Sequence, residues 1–300
     1  MSMIENPLVS IIMNCYNGEK YLREALDSIL AQTYKNWELI FWDNQSTDKS
    51  VEIFKSYADE RLKYFYAPTH TLLYEARNYA IEKASGEFYA FIDVDDWWEK
   101  EKLEKQILLF EDQEVGLVYS NHFYKNEQKG TRIVLYKRQL PSGRILNELL
   151  NQYVVGLLTI VVRRTAIENL DHSFDPRFHV IGDFDLVIRL ANKCKFNCIQ
   201  SPLATCRWHG ENESTKQKVL HLCEMGKWLN EMNKNNSISS LDGFRKTEKL
   251  YLYMKGMNWI EQANIIETLK VIWAIPFGKE KIKLLLALIM PSPLLKTLRK

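Results

Sequence analysis

The first 92 residues alternate four times between short apolar runs and segments whose apolar residues recur at helical spacing. The runs cover residues 8–13, 38–42, 62–66 and 88–92. Runs rich in β-branched and aromatic residues are typical of strands that are buried on both faces of a sheet. Because a helical pattern separates each run from the next, we predict right-handed βαβ units. The expected fold is therefore α/β, Rossmann-like, with a mainly parallel sheet flanked by helices.

The alternation loosens after residue 96. Strand patterns follow at residues 115–119, 133–136, 157–162, 196–199 and 204–208, and helical spacing returns at 103–110 and 181–191. From 214 to 277 the spacing is helical throughout, with two polar breaks. We therefore predict an α/β domain over residues 1–212, with halves at 1–112 and 113–212. A C-terminal helical region over 213–300 completes the prediction.

Composition excludes several classes of protein. The net charge of +2 gives no argument for nucleic acid as a partner. The five cysteines form no CxxC pair and fit neither a zinc site nor a disulfide framework, so reduced thiols in a cytosolic protein are expected. No apolar stretch reaches the roughly 18 residues of a membrane span, and the first residues lack the pattern of a signal peptide.

Three carboxylates follow the fourth apolar run within four residues. They belong to Asp93, Asp95 and Asp96. In an open α/β sheet, ligands bind at the carboxyl ends of the strands, and clustered carboxylates suit Mg²⁺ or Mn²⁺ shared with substrate phosphates. The alternative is a solvated acidic turn that caps the helix predicted to begin near Glu99.

Three further polar groups lie at, or close to, the same predicted sheet edge. They are Asn14–Asn17 after the first strand, Asp43–Asp48 after the second, and Arg77-Asn78 on the helix that precedes the acidic run. Together they would suit a nucleoside diphosphate. Tyr16 would stack on the base, Asp43 would accept from its imide, and Arg77 would lie near the phosphates.

Taken together, these motifs resemble the opening of family-2 glycosyltransferases of the GT-A fold. The resemblance rests on Val9–Ile12, Tyr16-Asn17, Tyr21-Leu22, Ser28–Tyr34, Asp43–Asp48, Ala76–Asn78, Ala84–Phe88 and Phe91–Asp96. It implies an inverting enzyme that uses nucleotide-activated sugars, usually UDP-linked, with Mn²⁺ or Mg²⁺ as cofactor.

The resemblance also implies roles for single residues. Asp95 would be the principal metal ligand, and Asp93 would contact the ribose or the metal's waters. Donor binding would further involve Tyr16, Asn17, Asp43, Asn44 and Arg77. Asn44 departs from the acidic residue of the family motif; because an amide both donates and accepts, base selectivity is expected to differ.

The general base is expected in the second half of the chain. Residues 182–190 resemble a family motif in which an acidic pair opens a helix, so Asp183 is our candidate base. Gly182 stands where the family usually has glutamate. The alternative is that Asp183 only caps the helix while Asp185 pairs with Arg189; Asp185 is also the fallback base and a possible acceptor contact.

Two further motifs carry open alternatives. Residues 207–212 resemble a late family motif, which implies that His209 approaches the diphosphate or the metal, although a structural histidine is an equal alternative. Trp97 and Trp98 follow the acidic run and would form a floor for a sugar, or pack in the core.

The end of the chain is basic. From Lys279 to Lys300 six basic residues stand against Glu280 alone, and they flank the apolar segment 282–290. Such a segment either docks on the core or lies in the interface of an anionic membrane. We favour peripheral association with the inner face of the cell membrane, since relatives of this kind act on polyprenyl-diphosphate-linked acceptors.

The sequence therefore predicts an inverting glycosyltransferase of cell-surface polysaccharide or lipopolysaccharide synthesis. It would move a sugar from a nucleotide-sugar, most often a UDP-sugar, to a glycan or lipid-linked glycan. One alternative is a sugar nucleotidyltransferase, against which the missing glycine-rich phosphate loop argues. The other is a catalytically inactive protein that binds sugar nucleotides.

Overall fold

The computed structural model describes residues 6–210, 212 and 217–289. The chain divides into two compact units. The first consists of Met1–Leu146 with Val154–Lys216, and the second of Asn147–Tyr153 with Gln217–Lys300. The predicted domain boundary between residues 212 and 213 stays a prediction. So do the expected roles of residues 1–112 as a nucleotide-binding half and of residues 113–212 as an acceptor half.

The described part of the first unit contains one nine-stranded sheet. Its strands are β1 (Val9–Cys15), β2 (Trp37–Asp43), β3 (Leu62–Tyr66), β4 (Phe88–Phe91), β5 (Trp97–Trp98), β6 (Val115–Asn126), β7 (Thr131–Val134), β8 (Val161–Arg163) and β9 (Lys195–Trp208). The spatial order is β3-β2-β1-β4-β8-β6-β9-β5, with β7 paired to β6. The first four strands are mutually parallel.

The sheet changes character after β4. Strand β8 runs antiparallel to both β4 and β6, whereas β9 is parallel to β6. The α/β fold predicted from the sequence is thus confirmed. Parallel βαβ units build the first half, and antiparallel pairs dominate the second.

Helices lie between and beyond the strands. They are α1 (Leu22–Leu30), α2 (Ser50–Lys55), α3 (Leu73–Glu82), α4 (Lys102–Ile107), α5 (Leu146–Asn151), α6 (Arg164–Glu168), α7 (Gly182–Ala191), α8 (Lys218–Met232), α9 (Asn236–Ser239), α10 (Asp242–Glu261), α11 (Ile265–Ala274) and α12 (Lys279–Ile289). Helix α5, apart from its first residue, and helices α8 to α12 belong to the second unit.

Three predicted strands differ from the structure. The segment 157–162 begins as a 3₁₀ turn, which Thr159 closes by donating its hydroxyl to Gly156 O, and only its end pairs as β8. The two strands predicted at 196–199 and 204–208 are one strand, β9, with irregular register opposite Ser120 and Asn121. Pro202 lies at this irregularity, where a residue without an N–H cannot complete the ladder.

The core of the first unit follows from the two-sided burial of β1, β2 and β4. Every residue of these three strands is buried. On one face, alternate residues of β1 pack against the side chains of α1 that recur at helical spacing: Leu22, Ala25, Leu26 and Ile29. These strands hold the carboxyl edge of the sheet rigidly in place.

A close backbone approach fixes the start of β4. A Cβ added to Gly86 would lie 2.7 Å from Leu8 O and from the backbone of Ser10. The Ser10 hydroxyl accepts from Gly86 N at 2.8 Å and donates to the buried carboxylate of Glu38. Gly86 therefore allows the start of β4 to lie close to β1. This approach also fixes the position of the acidic turn at the other end of β4.

Helices α11 and α12 of the second unit pack against α10. Their shared core contains Met257, Val271, Ile272, Ile275, Leu284 and Ala287. The polar break predicted near residue 235 is a helix start, because the Asn235 side chain caps α9. Of the predicted apolar segment 282–290, all but residue 290 lies within the described part of the chain. No helix of the described ranges has the length and hydropathy of a membrane span.

Candidate functional site

The loops after β1 and β2 are tied together at the carboxyl edge of the sheet. Asn44 N donates to Cys15 O at 2.8 Å, Asn17 N donates to Ser46 Oγ at 3.0 Å, and Thr47 N donates to Asn17 Oδ1 at 2.8 Å. Asn17 has a φ of 55°, a left-handed conformation that asparagine tolerates. In this structure Asn17 therefore bridges the two loops.

Tyr16 stands out from these tied loops. Its side chain is 54% exposed, and its ring centroid lies 4.4 Å from that of His70. His70 is held in turn by a hydrogen bond between Nδ1 and Asn44 O at 2.8 Å. A supported but open ring at this edge can stack on the base of a nucleotide.

Asp43 and Asn44 are buried and engaged with the protein itself. Asp43 Oδ1 accepts from Ser46 N and Oδ2 accepts from the Tyr64 hydroxyl, both at 2.8 Å. The Asn44 amide donates to Thr71 O at 2.8 Å and accepts from Thr71 N at 3.2 Å. Here both residues order the loops around the edge; their predicted contacts with a base stay predictions.

Arg77 holds the first carboxylate of the acidic turn. It projects from α3, is buried, and its Nη2 lies 2.5 Å from Asp93 Oδ1, whose side chain is half-exposed. The guanidinium also lies over the ring of Tyr74. Charge-assisted bonds of this kind are strong and directional, so Asp93 is oriented before any ligand arrives.

Asp95 meets two residues that follow β9. Its Oδ2 lies 3.1 Å from His209 Nε2 and accepts from Asn212 Nδ2 at 3.3 Å. Burial and the charge of Asp93 raise the pKa of Asp95, while the hydrogen bond with His209 lowers it. His209 thus lies against the acidic turn, and its predicted approach to the diphosphate or the metal stays a prediction.

Arg207, to which no sequence motif assigned a role, holds the acidic turn in place. Its backbone N donates to Asp96 Oδ1 and its Nε to Asp95 O, both at 2.8 Å. Its Nη atoms pair with Glu24 and Glu127. Burial, followed by the charges of Asp95 and Asp93, raises the pKa of Asp96 well above its ordinary value. In the sequence, only its position two residues before His209 indicated that Arg207 would lie near the site.

The acidic turn fits a cation that is shared with a ligand. Within the described residues no group of three His, Cys, Asp or Glu side chains forms a ready-made metal site. Asp95 and His209 nevertheless present two ligand atoms side by side. Mg²⁺ at phosphate sites commonly takes one or two protein ligands and completes its shell with phosphate and water oxygens. The donor set therefore fits a divalent ion that a diphosphate would help to bind.

Asp183 lies at the start of α7 and connects to the same group. Its Oδ1 lies 3.1 Å from the hydroxyl of Tyr74 and accepts from Phe184 N at 2.8 Å. Burial raises the pKa of Asp183, although the charge of Arg77 and the bonds from Phe184 N and Tyr74 oppose that rise. A carboxylate of raised basicity is suited to accept a proton.

Gly182 explains how Tyr74 reaches Asp183. A Cβ at residue 182 would lie 2.5 Å from Cδ2 of the Tyr74 ring. The ring therefore occupies the space that a side chain at position 182 would need. Glycine at position 182, where the family usually has glutamate, thus leaves room for the Tyr74 ring of α3.

Three other predicted residues are engaged elsewhere. Asp185 is buried and lies 2.8 Å from Arg189 Nη2, as the salt-bridge alternative predicted. Trp98 is buried and donates its Nε1 to Leu158 O at 2.9 Å, so it packs in the core. The side chains of Arg207 and Lys125 lie over the ring of Trp97. The sugar-contact roles of these residues stay predictions.

The fold and the site define a class. A parallel α/β half carries an exposed ring, an Arg–Asp pair and an Asp–His pair at its carboxyl edge, with a further carboxylate beside them. This is the arrangement of an α/β protein whose candidate site lies at the carboxyl ends of its parallel strands.

Residues 10–170 match the family model "Glycosyl transferase family 2". This is more than half of the chain, which therefore belongs to glycosyltransferase family 2, as its motifs predicted. Among curated relatives, the chain is 34% identical over 171 residues to the Escherichia coli UDP-Glc:alpha-D-GlcNAc-diphosphoundecaprenol beta-1,3-glucosyltransferase WfgD, covering 57% of this chain and 66% of that protein. The matched regions span 63 to 66% of the length of the first three curated relatives.

Solved structures share the fold. S. aureus TarS 1-349 superposes with a TM-score of 0.67 at 20% identity, covering 97% of this chain and 86% of that one. The mannosyltransferase PcManGT from Pyrobaculum calidifontis, in complex with GDP-Man and Mn²⁺, gives 0.64 at 15% identity, covering 99% and 84%. At these identities the likeness establishes the GT-A fold alone.

Proposed function

We propose that the protein is a metal-dependent, inverting glycosyltransferase. It moves a sugar from a nucleotide-sugar, preferentially a UDP-sugar, to a glycan or lipid-linked glycan during the synthesis of a cell-surface polysaccharide or lipopolysaccharide. The observation that carries this proposal is one linked group of side chains. It runs from Asp95 and His209 through the acidic turn to Asp93 and Arg77, and on through Tyr74 to Asp183.

The donor would bind across the tied loops and the acidic turn. Tyr16 offers an open ring for the base, and the Arg77–Asp93 pair would lie beside the ribose and phosphates. Asp95 and His209 would hold a divalent ion, which when bound offsets negative charge on the departing nucleoside diphosphate. The choice between Mg²⁺ and Mn²⁺ stays open because both accept these ligands.

Asp183 would act on the acceptor. Its carboxylate takes the proton from an acceptor hydroxyl as that oxygen forms a bond to the anomeric carbon. The bond between the anomeric carbon and the diphosphate breaks in the same step, and the nucleoside diphosphate leaves with the electron pair. Attack opposite the leaving group inverts the anomeric centre, and a hydrogen-bonded, partly desolvated carboxylate is suited to this task.

The relatives support the class of acceptor. WfgD is named for glucosyl transfer to GlcNAc-diphosphoundecaprenol, and a further relative from Bacillus subtilis is named for teichuronic acid biosynthesis. A polyprenyl-diphosphate acceptor lies in a membrane. We therefore propose peripheral association with the cytoplasmic face of an anionic membrane as part of the function.

The test is release of nucleoside diphosphate across a panel of UDP-, GDP- and dTDP-sugars, with Mn²⁺ or Mg²⁺ and GlcNAc-diphosphoundecaprenol as acceptor. Asp95→Ala is the matched variant. Release from one donor that requires the metal and disappears in the variant supports the proposal and identifies the sugar.

Other outcomes would favour the alternatives. Release of pyrophosphate from a nucleoside triphosphate and a sugar phosphate would make the protein a nucleotidyltransferase. Calorimetric binding of a UDP-sugar without turnover, with the acceptor present, would make it a binding protein. Each of these results overturns the proposal.

A further inference from the structure

Helix α11 has two apolar faces. One contains Val271 and Ile272 and is buried against α10. The other contains Ile266, Leu269 and Trp273, which are exposed and recur at helical spacing, and Phe277 follows in the turn after the helix. Trp273 is 88% and Phe277 82% exposed. We name these four residues the α11 stripe.

Helix α12 repeats the arrangement. Leu284 and Ala287 are buried in the same core. Ile282, Leu285, Leu286 and Ile289 recur at the same spacing on the outer side, and all four are exposed. These four residues are the α12 stripe. An amphipathic helix of a globular protein normally buries its one apolar face, so a second, exposed apolar face on two neighbouring helices indicates a partner.

The charges around the stripes are mainly positive. Residues 262–289 contain four lysines and two glutamates. Both glutamates are paired within the unit: Glu267 with Lys270 at 2.6 Å and Glu280 with Lys249 at 2.7 Å. Lys279, whose side chain is 86% exposed, lies 3.8 Å from Glu280 Oε1. Lys281 and Lys283 add two further positive charges, so the segment keeps a net charge of +2. In the sequence, residues 290–300 add three basic residues and no acidic one.

We propose that the α11 and α12 stripes form the surface with which this protein lies on an anionic bilayer. An exposed tryptophan and phenylalanine beside lysines match the membrane interface, where aromatic rings sit at the level of the headgroups and lysines face anionic lipid. The inference rests on the proposed function in one respect, since a membrane-borne acceptor would require the enzyme at the surface. It extends the proposal from a basic tail to two defined helix faces.

The test uses the full chain and sedimentation with vesicles. One set contains phosphatidylcholine alone, and the other an equal mixture of phosphatidylcholine and phosphatidylglycerol. We expect binding only to the anionic vesicles, weakened by salt, and a loss of about tenfold or more in partitioning for Trp273→Ser/Phe277→Ser. The matched control is Leu108→Ser/Ile133→Ser, which removes two exposed apolar residues from the first unit and should bind like the wild type.

Two outcomes overturn this proposal. The first is that the wild-type protein does not bind anionic vesicles. If sedimentation equilibrium then shows a dimer that is lost in Trp273→Ser/Phe277→Ser, a second copy of the chain is the partner. The second is a double variant that binds vesicles as tightly as the wild type. Donor turnover with the GlcNAc-diphosphoundecaprenol acceptor, measured without vesicles, is a separate readout: its absence would refute the proposed function and leave the vesicle result standing.

An independent observation concerns Tyr74. The ring is buried, stacks on Phe174 and fills the space beside Gly182. Its hydroxyl lies 3.3 Å from Val180 O and 3.1 Å from Asp183 Oδ1. Burial and the charge of Asp183 raise the pKa of Tyr74 well above its ordinary value, so the hydroxyl stays protonated and can donate.

The geometry points to Tyr74 as a positioning residue for Asp183. The hydroxyl restrains one carboxylate oxygen, and so leaves the other, Oδ2, to face an acceptor. In this chain a tyrosine on α3 would thus provide the restraint that the small Gly182 on α7 cannot. The inference rests on the proposed function, because it assigns Tyr74 a task only if Asp183 is the base.

Tyr74→Phe keeps the ring and removes the hydroxyl. We expect kcat to fall by about tenfold, with KM for the donor unchanged. The acidic limb of the pH–rate profile should move to higher pH, because the lost bond lowered the pKa of Asp183. Tyr79→Phe is the matched control on the same helix; it removes a hydroxyl bonded to Glu75 at the surface and should change none of these.

A kcat equal to that of the wild type would refute the role of Tyr74. So would a fall in kcat with an unmoved pH limb and a matching fall in thermal stability, which would assign the hydroxyl to structure alone. A wild-type enzyme without turnover would instead count against the proposed function.

Discussion

The carboxyl edge of the sheet and the outer faces of α11 and α12 break the usual rule of burial in opposite directions. At the edge, polar side chains such as Asp43, Asn44 and Arg207 are buried. On the two helices, large apolar side chains such as Trp273 are exposed. Buried polar groups and exposed apolar patches are the departures that carry information about function.

The difference lies in where each set finds its partners. Asp43, Asn44 and Arg207 find their partners within the protein. Both oxygens of Asp43 accept bonds, the Asn44 amide bonds to Thr71, and Arg207 contacts three neighbouring segments. The edge is therefore organised before a ligand binds, as electrostatic catalysis requires. Within the described residues nothing covers the apolar stripes, and we propose a bilayer as their partner. Substitutions should accordingly have large effects at the edge and small ones on the stripes.

The largest expected effect follows from Asp183→Asn. The amide keeps the shape of the side chain and can still accept from Phe184 N, but it cannot take up a proton. A general base contributes about 10²–10⁴-fold, so kcat should fall by about that factor, measured as nucleoside diphosphate release at saturating donor and acceptor. The donor Kd from calorimetry should stay unchanged.

Stability serves as the control for this variant. Burial raises the pKa of Asp183 in the folded state. The folded protein therefore holds this proton more tightly than the unfolded chain. The contribution of the residue to stability falls as pH rises from its pKa in the unfolded chain to its raised pKa in the folded protein. Asp183→Asn removes this loss, so its unfolding free energy at neutral pH should equal or exceed that of the wild type. An inactive and clearly destabilised variant would contradict the assignment.

The next effect is expected for Arg207→Met. Breaking a buried ion pair costs about 3–5 kcal/mol when the remaining charge stays buried. Here the side chains of Glu24 and Glu127 are 49% and 29% exposed and can be solvated, so a smaller loss of about 2 kcal/mol in unfolding free energy is expected. Donor affinity should fall too, because Nε no longer holds Asp95 O.

Arg164→Met provides the comparison for Arg207. Arg164 pairs with Glu168 on the surface of α6, where both side chains are well exposed. An exposed pair of this kind is worth under about 1 kcal/mol. Urea unfolding of both variants measures the difference, and equal losses would show that Arg207 is an ordinary surface charge.

A smaller effect is expected for Gly182→Ala. The added Cβ would lie 2.5 Å from the Tyr74 ring, and overpacking of this kind costs about 1–3 kcal/mol. The gain in helix propensity of up to about 1 kcal/mol offsets part of it. In the background of Tyr74→Ala the clash is absent, so the same change should become neutral or stabilising. Additive effects in this double-mutant cycle would mean that the two residues do not compete for space.

The sequence predicted those parts of the fold that depend on local pattern. Strands β1 to β4 and helices α1, α3 and α7 follow from continuous apolar runs and helical spacing. The acidic edge follows as well, because parallel strands bring their carboxyl ends together. The prediction of a continuous strand over residues 157–162 was wrong, because a short apolar run cannot by itself be distinguished from a helical turn.

The contacts that complete the site could not be predicted in this way. Arg207 N reaches Asp96 across 111 positions of the chain, and Tyr74 reaches Asp183 across 109. No periodicity links residues at such separations; only the packing of α3 against the start of α7, and of β9 beside β5, creates them. Likewise the apolar segment 282–290 gave no indication of which residues α12 would bury.

The smallest expected effect is the change in unfolding free energy when residues of the stripes are replaced. Its size distinguishes the stripes from a buried core. Trp273→Ser/Phe277→Ser should change the unfolding free energy by less than about 0.5 kcal/mol, because exposed positions away from special contacts are nearly neutral. Leu284→Ala on α12 should cost about 2–5 kcal/mol, since Leu284 is fully buried. Thermal unfolding of both variants without lipid measures the contrast. A large loss for Trp273 and Phe277 would mean that these side chains pack within the protein in solution, and the stripes would then have no free surface to offer a membrane.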